Sequence, residues 1–481
     1  MNFNSIEFII FYPIVLLLYF VLPKPMKWPM LLIASYFFYM SYDPSLVVLI
    51  FGTTLVSWLA SKFIEKTESV ALRRLLLAVA LVTSLSVLFF YKYFDFLSSS
   101  FTTVFAPTTD PVLLNLVLPV GISFYTFQTL SYVIDVYRGD VKTEENFFFY
   151  ALFVSFFPQL VAGPIERPGN LIPQLREPKP FNTDDAIKGA KHMIVGFFKK
   201  ICVADMVSGV VDSVYNAPEG ATSLAVLIAT LLFAVQIYCD FSGYTDIAIG
   251  CSRIMGIRLM KNFDHPYTAT SIKEFWARWH ISLSTWFRDY LYIPLGGSKC
   301  KKWRHLMNLM IIFLVSGIWH GAAWTFVLWG LVHGFYRIVG EITSKPRQKL
   351  LSLVGLTNEN IAVRIIRTVV TFALVCVAWV IFRANSLSDV TVLFKTLFSF
   401  SGGFTETLTL MGLDLYRILL ICISIVTLLL LDRAVVYGDG ADKSGVVTKN
   451  GAFIYFVWAI VICWMLLLSR DMVSSFIYFR F

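Results

Sequence analysis

HLMNLMIIFLVSGIWHGAAWTFVLWGLVHGFYRIVG, residues 305–340, consists of two apolar runs, 305–320 and 322–340, joined with almost no polar link. A membrane span needs about 20 apolar residues, so each run reads as a helix of near-spanning length. Comparable runs occur near 8–22, 29–42, 45–61, 75–91, 113–134 and 147–162, and again near 222–238, 368–382, 415–431 and 452–469. The shorter ones must borrow flanking residues or sit in a thinned bilayer, and the total is about 11 or 12 helices.

Composition agrees. Of 481 residues 57% are hydrophobic, 16% aromatic and only 15% charged, with a mean hydropathy of +0.71. Soluble domains carry about a quarter charged residues. The expected fold is therefore all-α: a polytopic membrane protein with additional re-entrant or interfacial helices.

A net charge of +9 raises nucleic-acid binding, but no basic face with interleaved aromatics lies outside the spans. Lys and Arg cluster instead in loops: Lys62, Lys66, Arg73 and Arg74; Lys299, Lys301, Lys302 and Arg304; Lys345, Arg347, Lys349, Arg364 and Arg367. The positive-inside rule makes these loops cytoplasmic. The first positive charge, Lys24, follows the first apolar run, so the N-terminus is expected outside and carries no secretory signal pattern. Counting spans onward from Arg367 places the C-terminal tail outside as well. Seven cysteines without a C-x-x-C pair imply neither a disulfide framework nor a zinc cage. No P-loop, H-E-x-x-H or G-x-S-x-G is present.

Three polar motifs interrupt this pattern. In SGIWHGAAW, residues 316–324, His320 ends an apolar run. An ionisable group there marks a functional site by default. Desolvation keeps an imidazole neutral, and so a competent general base for a hydroxyl; a hydrogen-bonded packing histidine is the alternative. Gly317 and Gly321 would admit a neighbouring backbone or a substrate. In SIKEFWARWHISLSTWFRDYLYIPLGGSK, residues 271–299, Trp276, Trp279, Leu283, Trp286 and Tyr290 recur at spacings of 3 and 4. That predicts one amphipathic helix at headgroup level, flanked by His280, which is either structural or catalytic. In QIYCDFSGYTDIAIG, residues 236–250, Asp240 and Asp246 bracket Ser242-Gly243-Tyr244. A glycine break is expected there, where acids could orient a histidine, bind a cation or cap a broken helix; at a spacing of six residues a single orienting acid is favoured. The stretch 158–300, with its paired Lys199 and Lys200, reads as segments around a functional cavity. His305, His320 and His333 lack metal-ligand spacing on one face, and His192 and Asp264-His265 read as loop or interface residues without a catalytic role.

These motifs, with LPVGISFYTFQTLSYVIDVYRG (118–139) and FFPQLVAGPIERP (156–168), occur in an order that resembles the membrane-bound O-acyltransferase (MBOAT) superfamily. The likeness is to its bacterial branch of alginate, peptidoglycan and other polysaccharide O-acetyltransferases, and runs from about residue 1 to 470. The resemblance implies an MBOAT domain over 1–470, with helices around a central tunnel, that transfers an acyl group from a cytoplasmic donor to a hydroxyl outside. His320 matches the family's catalytic histidine and His280 a second one. Asp240, Ser242 and Tyr244 match its polar motif as site support, with Trp319 and Arg288 inside the neighbouring signatures. D-alanyl transfer proteins of teichoic acid share WH…WFRDY and WHG, but FSGYTDIAIG and YIPLGGSK favour acetyl.

The expected reaction is O-acetylation of a cell-envelope polysaccharide, with acetyl-CoA as donor, no tightly bound cofactor and no metal. An acyl transporter, or a scaffold for another transferase, is the alternative. An extracytoplasmic SGNH-type partner is expected to finish the transfer, and the location is the bacterial inner membrane. The tail 471–481 ends in FIYFRF; its Tyr478 is a candidate acyl carrier, because a phenol is a better nucleophile precursor and leaving group than a sugar hydroxyl, and interfacial anchoring of the aromatic tail is the alternative.

Overall fold

The computed structural model describes residues 1–161, 163–434 and 461–465. The tail with Tyr478, and most of the run 452–469, lie outside the described residues. No β-strand occurs among the described residues. The chain divides into two compact units, 1–193 with 244–260, and 194–243 with 261–481.

The first unit opens with α1 (Ile6–Val21), whose N-cap Ser5 accepts from the Phe8 amide. Then come α2 (Lys24–Met40), α3 (Val47–Lys66) and α4 (Val70–Leu88). On α1, Ile6, Ile9, Ile10, Ile14 and Leu17 are exposed, an apolar face that suits acyl chains rather than water. The run 113–134 becomes helical only at α5 (Ile122–Arg138), which is flanked by Gly121 and Gly139 at positive φ and buries most of its side chains. The run 147–162 forms α6 (Phe147–Ser155), capped by Asn146, and ends in a bend at Phe156. After α7 (Pro168–Arg176) and α8 (Thr183–Phe197), residues 244–260 return to this unit. Buried Glu166 holds them by accepting from the Met260 amide, and from Asn170 Nδ2 at 2.6 Å. Tyr12 donates to the Cys251 carbonyl at 2.9 Å.

In the second unit a π-helical segment, Phe198–Asp205, leads into α9 (Met206–Tyr215). The helix α10 (Ser223–Ile254) is continuous over 32 residues. The glycine break expected at Gly243 is therefore absent. Gly243 instead lets another backbone come close: a Cβ there would lie 2.8 Å from the Gly196 carbonyl oxygen.

The single amphipathic helix expected over 271–299 is also not formed. It splits into α11 (Ile272–Arg278) and α12 (Ile281–Phe287), with His280 between them at φ 45°. The reason is competition for hydrogen bonds. The stretch before α11 takes them over: Ile281 N–H donates to the Asn262 carbonyl at 2.9 Å, and Asp264 N–H to the Arg278 carbonyl at 2.9 Å.

The runs 305–320 and 322–340 form α13 (Lys302–His320) and α14 (Trp324–Ile342), which pack together as a hairpin. Then follow α15 (Ile361–Arg383), α16 (Leu387–Ser399), α17 (Phe404–Leu410) and α18 (Leu415–Ala434).

Among the described residues four helices are long and apolar enough to cross a membrane: 44–66, 70–105, 223–254 and 361–383. The pair 404–410 and 415–431, bent by 80°, makes a fifth if it is one span. Buried Trp, Asn and His residues dilute α13 and α14, the helices that carry the site.

Candidate active site

His320 is the last residue of α13, and its position follows from two glycines. A Cβ at Gly317 would collide with the Phe326 carbonyl, and one at Gly330 with that of Phe313. The two backbones therefore touch, which brings the buried His320 against Trp329, with ring centroids 4.8 Å apart. Gly321 faces the Phe326 ring.

His320 Nδ1 lies 2.6 Å from the Ser316 carbonyl oxygen. A carbonyl only accepts, so Nδ1 carries the hydrogen and Nε2 the lone pair of a neutral ring. Nε2 is the basic atom. The helix C-terminus and the Ser316 carbonyl both favour positive charge, so they stabilise the imidazolium that forms once Nε2 takes a proton.

His280 is completely buried. Its Nδ1 donates to Asn262 Oδ1 at 3.1 Å. That atom is an oxygen, because the Ser282 amide also donates to it, at 3.2 Å. His280 thus has the same tautomer as His320. A histidine with positive φ is uncommon and, where the surroundings impose it, tends to mark a functional position. Trp319 joins the two rings: its centroid is 4.9 Å from His320 and 6.1 Å from His280. Phe241 packs edge-on against His280 at 4.7 Å.

Asp240 is buried in an ionic triad. Lys200 Nζ lies 2.8 Å from Asp240 Oδ1 and 2.9 Å from Asp205 Oδ1. Ser242 is buried two residues further along α10. Tyr244 belongs to the first unit, where it stacks on Phe3 at 4.8 Å and its hydroxyl accepts from the Phe3 amide. Asp246 faces His192 at 3.9 Å in that same unit; on an unbroken helix the two acids point apart, as their spacing predicts. Arg288 has a 59% exposed side chain and binds its neighbour Asp289. The second unit thus gathers His320, His280 and Trp319, and holds Asp240 in its own ion cluster.

Sequence reasoning passed over three contributors. Asn262 is an unremarkable polar residue until the break at His280 is known. Lys200 was visible only as half of a charge pair. His333 was weighed only as a metal ligand, yet it is fully buried and receives Trp276 Nε1–H at its Nδ1, 3.2 Å away; its i,i+4 spacing from Trp329 was the available signal.

A burial-shielded base on a helix end, oriented by a carbonyl and walled by aromatic rings, suits proton removal from a hydroxyl during acyl transfer. Comparison with known proteins gives the family. The sequence profile of the membrane-bound O-acyltransferase family matches residues 142–380. The chain is 37% identical over 407 residues to the probable alginate O-acetylase AlgI of Pseudomonas aeruginosa, covering 83% of this chain and 75% of that one. It is 34% identical to the peptidoglycan O-acetyltransferase of Helicobacter pylori, covering 83% and 80%. It is 29% identical to the teichoic acid D-alanyltransferase of Bacillus subtilis, covering 64% and 77%. The protein belongs to the membrane-bound O-acyltransferase family. It is an O-acyltransferase, and its similarity is greater to the two acetyl-transferring relatives than to the D-alanyl one.

Proposed function

We propose that the protein moves acetyl groups from cytoplasmic acetyl-CoA across the bacterial inner membrane, for O-acetylation of an envelope polysaccharide. The acceptor is peptidoglycan or an exopolysaccharide of the alginate kind, and both termini face outward. The names of the relatives support this class of acceptor. The observation that carries the reading is His320, a neutral buried imidazole whose basic Nε2 is fixed by the Nδ1–H bond to Ser316.

In the reaction, Nε2 takes the proton of an incoming hydroxyl as its oxygen attacks the thioester carbonyl. The tetrahedral intermediate collapses, the C–S bond breaks, and the imidazolium returns its proton to the departing thiolate. His280 serves the same site through Trp319. We place Tyr478 as the first acceptor: its hydroxyl would take the acetyl group as a phenyl ester, from which an SGNH-type partner outside the membrane passes the acetyl to the polymer and so regenerates the phenol.

The experiment is to measure polymer acetyl esters in cells carrying His320→Ala or Tyr478→Phe at normal membrane levels. Loss of an essential base costs about 100- to 10,000-fold. Wild-type ester content with His320→Ala would favour the scaffold reading. With Tyr478→Phe, intact ester content and no acetylated C-terminal peptide in wild type would leave the tail an anchor.

A further inference from the structure

Acyl transfer to a hydroxyl needs more than a base, because negative charge develops on the carbonyl oxygen and must be received by hydrogen-bond donors. Two side chains beside His320 have the required property. Trp329 is completely buried, and its indole Nε1–H, which can only donate, finds no acceptor among the described residues. His333 is also completely buried. Its Nδ1 accepts from Trp276 Nε1–H at 3.2 Å. That bond fixes the tautomer: an Nδ1 that accepts carries no hydrogen, so the neutral ring bears its hydrogen on Nε2. This Nε2–H likewise has no acceptor among the described residues.

Leaving a buried donor unsatisfied costs about 1–3 kcal/mol, so two on adjoining rings call for a physical reason. Their placement gives one. Both lie on α14 one turn apart, with ring centroids 4.9 Å apart, and Trp329 stands 4.8 Å from His320. The rings are held from several sides: Trp276 packs on His333 at 5.1 Å and on Trp329 at 5.7 Å, and Phe382 on Trp329 at 5.3 Å. Donors fixed in this way need no reorganisation as charge develops.

We propose that Trp329 Nε1–H and His333 Nε2–H receive the acyl carbonyl oxygen, first of the thioester and then as the oxyanion. The inference rests on the acyl-transfer reading above and adds to it the residues that hold the reacting carbonyl. Both donors keep their hydrogens throughout. The proton that moves is the hydroxyl's, to His320 Nε2 and then to the thiolate, while the C–O bond forms and the C–S bond breaks.

The test uses the full-length protein in detergent, with acetyl-CoA as the probe and thiol release in the first turnover as the readout, kcat being its maximal rate. Trp329→Phe keeps a ring and deletes only the N–H. It is expected to lower kcat about 100- to 1,000-fold, with KM and thermal midpoint close to wild type. His333→Gln retains an acceptor for Trp276 and a donor beyond it, and is expected to exceed His333→Ala in kcat. Infrared difference spectra with carbonyl-labelled acetyl-CoA give an independent signal: the bound carbonyl stretch lies lower in wild type and in His320→Ala than in Trp329→Phe. Normal kcat and an unshifted carbonyl band in Trp329→Phe, with wild type active, would overturn this assignment alone. Absence of thiol release by wild type would overturn the acetyl-CoA reading, and this assignment with it.

Discussion

Lys200 Nζ stands 2.8 Å from Asp240 Oδ1, and it reaches that acid from a π-helical turn. The wider turn lets adjacent lysines both point inward: Lys199 lies over the Tyr238 ring at 5.3 Å, while Lys200 meets the two carboxylates. Lys200→Met leaves Asp205 and Asp240 buried without that cation, and is expected to destabilise the protein by about 3–5 kcal/mol. Asp240→Asn should cost less, since Lys200 keeps Asp205. Thermal unfolding in detergent checks the order of the two variants.

Gly330 leaves no room for a methyl group between α13 and α14. Gly330→Ala is expected to cost about 1–3 kcal/mol by overpacking, and to reduce turnover by moving His320 away from Trp329. A variant with normal turnover and midpoint would show that the backbones part without consequence.

His280→Ala removes the imidazole and its bond to Asn262, but the Ser282 amide and hydroxyl still donate to that oxygen, the hydroxyl at 2.9 Å. The fold should therefore lose about 1–2 kcal/mol, while turnover falls about 100-fold or more. Equal losses in midpoint and turnover would make His280 a packing residue. His280→Asn, which also tolerates positive φ, separates backbone strain from ring chemistry.

Burial raises the carboxyl of Glu166, in the segment between α6 and α7, to about 7. The folded state then binds this proton more tightly than the unfolded chain, whose ordinary value is 4.5. The stability this proton gives is complete below the unfolded value and is lost as pH rises through about 7. Glu166→Gln is expected to flatten the fall in thermal midpoint between those values, and to stabilise the protein at alkaline pH. An unchanged slope in the variant would place the titration elsewhere.

Much of this was legible in the chain itself. Apolar run length marked out α13 and α14, and an imidazole at the end of an apolar run made His320 the candidate base. What escaped depended on partners remote in sequence. Nothing in Trp279-His280 announces a break, because the hydrogen bonds that stabilise it come from Asn262. Gly243 looks like a helix breaker until the Gly196 backbone is placed beside it. His333 gains meaning only when Trp276, 57 positions away, fixes which of its nitrogens carries the hydrogen. Local pattern identifies elements; long-range hydrogen bonds assign their atoms.

The backbone contact at Gly317 and Gly330 also bears on how the enzyme works as a machine. Only residues 321–323 separate the two helices, and no side chain cushions the place where they meet. The hairpin has no slack with which to open a gap between His320 and Trp329. Whatever admits the acyl donor must therefore come from neighbouring segments, with the hairpin as a fixed anvil beneath them. Retargeting the enzyme to another acceptor is then a matter of reshaping those neighbours, and the hairpin can be carried over unchanged.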